Sequence, residues 1–248
     1  MPFSTIDSHL LYDTLKRKGI QNFHHANTVN TSLTFISEGA LLSRGYVETK
    51  GLTQTEQYTD TKDKVLGIWD SVFLDGIDLH RKFARPNKYG PILFYINLDI
   101  LLTRDFPEVS VTRSNPAKWS STINNFYESI EDIDRDYLTG DKFKDGQIMF
   151  LFDTPEMKIS LKKYCSKIVI DDPKMEIIYP NQTQKSICEM VKISTQNALL
   201  NAGLKTIKVE IRHTDDEPCN CYHQYKRLYE FDKEKFDKLF KKSTIANA

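Results

Sequence analysis

The sequence predicts an α+β fold in one domain spanning residues 1–248, and three observations predict it. Helical patterns come first and strand-like apolar runs punctuated by helices follow, an order that favours α+β over a regular βαβ alternation. The 248 residues are 40% hydrophobic and 11% aromatic, which suits one compact domain with its own core. The chain contains no GxGxxG after a strand, no Walker A loop, no HExxH and no GxSxG, so the usual dinucleotide, phosphate and hydrolase folds lose their support.

The elements follow in order. Ser4 to Lys18 reads as a helix, with Ser4 as cap, Asp7 at the reciprocal capping position and Gly19 as its stop. A short strand is expected around Gln21 to His25. Val29, Leu33 and Ile36 then fall at i, i+4 and i+7, one face of a short helix capped by Asn27 or Thr28 and closed by Gly39. Leu42 to Lys64 is polar and reads mostly as loop, with a short helix near its end. Pro91 to Leu98 is a buried strand, and residues 103 to 120, with two prolines and several hydroxyls, are loop. Trp119 to Ile133 reads as a helix running into the acidic run Glu131 to Asp136. Gln147 to Phe152, Lys167 to Asp171 and Lys174 to Tyr179 are strands. Thr183 to Ala202 is the longest helix, stopped by Gly203. Thr206 to Arg212 alternates as a strand does, and Asp232 to Lys242 closes the chain as a helix.

Charge and cysteine content exclude several classes. With 34 basic and 34 acidic residues the net charge is zero, so nucleic acid must be held by a local patch and not by a global positive field. Charge alone gives no hold on a membrane, and no apolar run approaches the roughly 20 residues that span a bilayer. The N-terminal stretch lacks a signal-peptide pattern. Four cysteines in 248 residues do not make a disulfide framework, and a cytoplasmic setting is expected.

Four stretches carry possible chemistry. In HHANTVNTSLTFISEGALLSRG (His24 to Gly45), a histidine ends a strand and a polar bend leads into a helix N-terminus. Such a bend offers imidazole, amide and backbone groups to a sugar, amide or anion; its structural alternative is a core histidine beside a cap. In QIMFLFDTPEMKISLKKYCSKIVIDDP (Gln147 to Pro173), a turn after a buried strand presents Glu156. A carboxylate there can hold sugar hydroxyls and accept a proton, or it is a surface charge at a strand end. His80 to Tyr89, HRKFARPNKY, interleaves cations with Phe83 and Tyr89, as a single-strand-binding surface does; a solvated basic loop is the alternative. His213, Cys219, Cys221 and His223 are zinc-capable, but C-x-C is tighter than usual ligand spacing, and two ordinary thiols are expected.

The first two stretches, together with WDSVFLDGIDLH (Trp69 to His80) and NKYGPILFYI (Asn87 to Ile96), resemble the DarT family of bacterial ADP-ribosyltransferase toxins over roughly residues 20 to 172. The likeness lies in the order of the pieces: His25-x-Asn27 and a helix ending at Gly39, an aromatic turn before a strand, and the Glu156 segment before an Ile/Val strand. The resemblance implies an ADP-ribosyltransferase-type fold with a split NAD-binding β core and flanking helices. It implies NAD as substrate, with His25 and Asn27 at the nicotinamide end and Glu156 as catalytic carboxylate. DarT proteins carry a catalytic arginine after the first helix, where Thr53 to Lys64 holds none. Arg44 is the candidate to take that arginine's catalytic place, and also the candidate for the pyrophosphate, since guanidinium binds phosphate oxygens bidentately. Arg81, Phe83 and Arg85 are the candidates for an RNA or DNA acceptor. The resemblance also implies a toxin held by an antitoxin partner or turned against phage. Two other readings are an ADP-ribosyltransferase acting on protein side chains and a nucleic-acid-binding module without catalysis.

Overall fold

A computed structural model describes residues 3–78, 89–119, 124–137, 148–178, 184–212 and 221–240. Its centre is an eight-stranded sheet in the order β1-β6-β7-β4-β2-β5-β9-β12. These strands are β1 (Ile6–Asp7), β2 (Asn22–Asn27), β4 (Val72–Asp75), β5 (Ile92–Asn97), β6 (Glu108–Val111), β7 (Met149–Phe152), β9 (Cys165–Asp171) and β12 (Lys208–Arg212). Neighbours run antiparallel except β9 and β12, which run parallel.

The sheet is two halves joined at one point. On one side β2 pairs with β5 along its whole length, from Asn22↔Asn97 to Asn27↔Ile92. On the other, β4 pairs with β7 from Val72↔Phe152 to Asp75↔Met149. Between the halves, β2 and β4 share a single register pair, His24↔Asp75. This is the split β core that the resemblance implies.

One side of the sheet is packed by Phe23, Phe150 and Phe152, with Phe23 ring centroids 4.7 and 5.8 Å from the other two. All three are fully buried, and truncating any of them to alanine costs about 3–5 kcal/mol. The same apolar cluster reaches from Ile6 to Phe240. Helix α1 (Ser8–Arg17) and helix α2 (Val29–Ser37) bury their apolar faces in it. Thr28 caps α2 by accepting the Thr31 N–H, and Gly39 ends the turn behind it at φ +68°, a conformation open to glycine.

Several local expectations are corrected. The cap of α1 is Asp7, which accepts the Leu10 N–H at 2.9 Å, because Ile6 and Asp7 are drawn into β1 and the helix starts later than Ser4. The short helix expected near the end of Leu42 to Lys64 is present, but the rest of the stretch is less loop than expected. It begins in β3 (Ala40–Leu42), paired with β8 (Lys158–Ser160), and continues as α3 (Arg44–Thr49), capped by Ser43, and α4 (Asp60–Val65). Residues 103–120 contain β6. Trp119 lies outside any helix, and among the described residues the helix of that stretch is α5 (Ile130–Asp136), begun by the Ser129 cap. A short helix α6 (Leu161–Tyr164) separates β8 from β9. The longest helix, α7 (Ile187–Asn201), begins after Gln184–Ser186, which form β11 against β10 (Glu176–Ile178). Two helices close the chain, α8 (Cys221–Phe231) and α9 (Lys233–Phe240). No helix among the described residues is long and apolar enough to cross a membrane.

Candidate active site

The site lies where the ladder between β2 and β4 stops. Past His24↔Asp75 the His25 ring reaches toward β4, and its Nδ1 sits 2.8 Å from the Phe73 carbonyl oxygen. A carbonyl can only accept, so Nδ1 carries the proton and Nε2 presents a lone pair. Asn27 Nδ2 lies 3.4 Å from Nε2, and Asn27 Oδ1 accepts the Thr28 N–H at 2.9 Å. The Thr28 contact fixes which way the amide points, and that orientation matches the histidine tautomer. Burial pushes the His25 pKa below its ordinary value; the Phe73 carbonyl opposes this and the nearby Arg44 charge adds to it. His25 is thus a neutral, oriented imidazole at neutral pH.

Arg44 opens α3, and its side chain is only 14% exposed. One terminal nitrogen donates to the Thr55 carbonyl at 3.0 Å, and the other pairs with Asp60 on α4. The guanidinium lies 5.6 Å from the Trp69 ring centroid. Thr55 also meets Thr28 hydroxyl to hydroxyl at 2.8 Å, so the cap of α2 and the arginine are tied to one loop. Gly45 lets this corner close: its N–H donates to the Trp69 carbonyl, and a Cβ there would overlap the Asp70 carboxylate.

His25, Asn27 and Arg44 line one open cavity, concave and part apolar as small-molecule sites are. Trp69, Asp75 and Tyr89 line it too. The cavity therefore joins a cation, a neutral imidazole, a carboxamide, aromatic surface and a buried carboxylate. Such a set can receive an anion at one end and an amide or sugar hydroxyls at the other.

Glu156 does not join them. It is exposed in the turn after β7 and lines a separate, charged surface cavity with Glu38, Asp105 and Lys163. Apolar β8 residue Ile159 must reach the core and pair with Leu41, and that path turns the preceding glutamate outward. Arg81, Phe83 and Arg85 lie outside the described residues, as do His213 and Cys219 of the possible zinc set. Among the described residues no group of three or more His, Cys, Asp or Glu could hold a metal ion. Cys165 and Cys188 are buried and unbridged.

His24 points to the opposite face of the strand from His25. Its ring meets Tyr95 edge-on at 4.6 Å, and the Tyr95 hydroxyl donates to Asp78 at 2.8 Å. Asp78 in turn pairs with buried Arg212. Burial lowers the His24 pKa to about 4, against the opposing charge of Asp78. Asp75 and Trp69 line the cavity without having stood out as candidates in the sequence. The short run SVFLDG carries the signal for Asp75, an apolar strand ending in a carboxylate and a glycine.

No known family profile and no curated protein matches the chain. Among solved structures it is similar to Thermus sp. 2.9 DarT in complex with ADP-ribosylated single-stranded DNA. The TM-score is 0.50 at 10% identity, over 78% of this chain and 95% of that one. The complex of Thermus sp. 2.9 DarT with carba-NAD+ aligns at TM-score 0.44 and 9% identity, over 78% and 96%. The chain has the DarT fold.

Proposed function

We propose that the chain is an NAD-dependent ADP-ribosyltransferase whose acceptor is a base of a single-stranded nucleic acid. The observation that carries this reading is the convergence of His25, Asn27 and Arg44 on one cavity at the split of the sheet. In this reading the NAD pyrophosphate lies against Arg44, and the nicotinamide carboxamide faces Asn27 and the His25 ring. The thermal and electrostatic logic is preorganisation: the groups are already oriented, so little ordering is left for the moment of reaction. The glycosidic bond to nicotinamide breaks through an oxocarbenium-like state, as in glycoside chemistry generally.

Two features support a nucleic-acid acceptor. The neighbouring DarT is bound to ADP-ribosylated single-stranded DNA. The basic and aromatic stretch His80 to Tyr89 ends in Tyr89, which lines the cavity, and stacking with interleaved charge is how single strands are held. Arg81 and Arg85 are assigned to phosphates and Phe83 to a base. A chain of this kind acts as a toxin, in the cytoplasm, restrained by an antitoxin or directed at phage.

The test is incubation of the purified chain with NAD labelled in its adenylate, together with single-stranded DNA, RNA or lysate proteins. Label on DNA or RNA is expected, falling as salt rises, with a flatter salt dependence after Arg81 and Arg85 are changed to Gln. Label on protein alone replaces the acceptor assignment. NAD that is neither bound nor cleaved removes the enzymatic reading and leaves a binding module.

A further inference from the structure

Resting on the reading above, we propose that Asp75, and not Glu156, is the carboxylate that serves the reaction in this cleft. Asp75 is the last residue of β4, is 5% exposed and lines the same cavity as His25, Asn27 and Arg44. It stands at the single pair that joins the two half-sheets and is in register with His24 on one side and Met149 on the other. The position is therefore held by backbone pairing on both edges, at the closed end of the split.

Its surroundings suit a working carboxylate. Tyr89 and Tyr137 lie close enough that the Asp75 charge, added to burial, raises both phenol pKa values. Asn115 donates to the Tyr89 hydroxyl at 3.1 Å and lines the cavity with it. Gly76 follows, and a Cβ there would overlap the Tyr137 hydroxyl, so the chain leaves β4 tightly against that phenol.

Magnitudes separate the two carboxylates. The attraction between opposite charges is about fourfold weaker in bulk water than at an effective dielectric of 20. Glu156, in an exposed turn, is in the first regime; Asp75, in a buried cleft, is in the second. Asp63 also lines the cavity. It sits on α4 beside Asp60, away from the single pair that joins the two half-sheets.

In the step, the bond between the ribose C1′ and the nicotinamide nitrogen breaks, and its electron pair stays on nicotinamide. The Asp75 carboxylate stabilises the positive charge developing on the sugar. A nucleophilic base atom then bonds C1′, and its proton passes to Asp75 and on to water.

The experiment compares wild type, Asp75→Asn and Glu156→Gln as full chains, reading NAD affinity by titration, nicotinamide release and melting. Asp75→Asn is expected to keep NAD affinity within about threefold and lose on the order of 100-fold or more in release. Glu156→Gln is expected to release nicotinamide within about twofold of wild type. Asp75→Glu, which keeps the charge and displaces it by one methylene, serves where Asp75→Asn does not fold, and a loss of at least tenfold with intact NAD affinity is expected. Wild-type release by Asp75→Asn or by a folded Asp75→Glu overturns the assignment, as does a large loss in Glu156→Gln alone. Failure of the transferase reading looks different: wild type itself then neither binds nor cleaves NAD.

Discussion

The cleft between β2 and β4 and the turn from Asp153 to Met157 were expected to meet at one site, and they present opposite physical settings. In the cleft, backbone pairing, an oriented histidine and a half-buried arginine converge around one cavity. In the turn, Glu156 faces water among surface charges. Binding and charge stabilisation gain from low dielectric and fixed geometry, and only the cleft has both. The difference teaches that the place where a sheet comes apart gathers oriented, enclosed groups, which a carboxylate in an exposed turn after a strand lacks.

The most severe test of the cleft is Gly90→Ala. Gly90 adopts φ +136°, and a Cβ there would overlap the Asn27 carbonyl and the Thr28 nitrogen. Overpacking and backbone strain each cost about 1–3 kcal/mol, so a loss of about 2–6 kcal/mol is expected in denaturant melts. An Ala variant as stable as wild type would show that β2 and the Gly90 turn do not touch.

The two faces of β2 can be separated by pH. His24 titrates near 4 in the folded chain against 6.5 in its absence. Because the folded pKa is depressed, its stabilisation is complete above pH 6.5 and is lost as pH falls from there to about 4. The span corresponds to about 3 kcal/mol. His24→Phe is expected to flatten melting temperature against pH across that window, with a slope of the same sign left by His25, whose pKa burial also lowers. An unchanged slope would mean that His24 is not buried.

Arg44→Gln tests the cation at the cleft. It removes a charged partner from the Thr55 carbonyl and from Asp60, and hydrogen bonds to charged groups contribute about 1.5–3 kcal/mol. NAD affinity is expected to fall by tenfold or more, together with a measurable drop in melting. A drop in melting with full NAD affinity would make Arg44 a structural cation only. At the other end of the scale, Glu156→Gln should change stability by less than about 0.5 kcal/mol, as exposed substitutions do.

Much of this was legible from residues alone. The strands β5, β7, β9 and β12 announce themselves as apolar or alternating runs, and α2 as a capped periodic segment. His25 and Asn27 were legible because a strand ending in a polar bend before a helix is a local pattern. The short strands β4 and β6 were not, since four residues beside turn signals give too little periodicity. Arg44 lines the cavity, but its partner Asp60 was hidden in a polar stretch where only α3 has a side-chain cap, Ser43. The direction of Glu156 was illegible for a different reason: it depends on where Ile159 meets the core, a tertiary fact. Asp75 was overlooked because its place in the cavity comes from pairing with strands distant in sequence.

The most direct test of the cleft is a crystal structure of the chain soaked with carba-NAD+. The expected result places the nicotinamide carboxamide within hydrogen-bond reach of Asn27 and the His25 Nε2, the pyrophosphate against Arg44, and the nicotinamide ribose beside Asp75. A nucleotide seated in the surface cavity around Glu156, with the cleft between β2 and β4 empty, would contradict it.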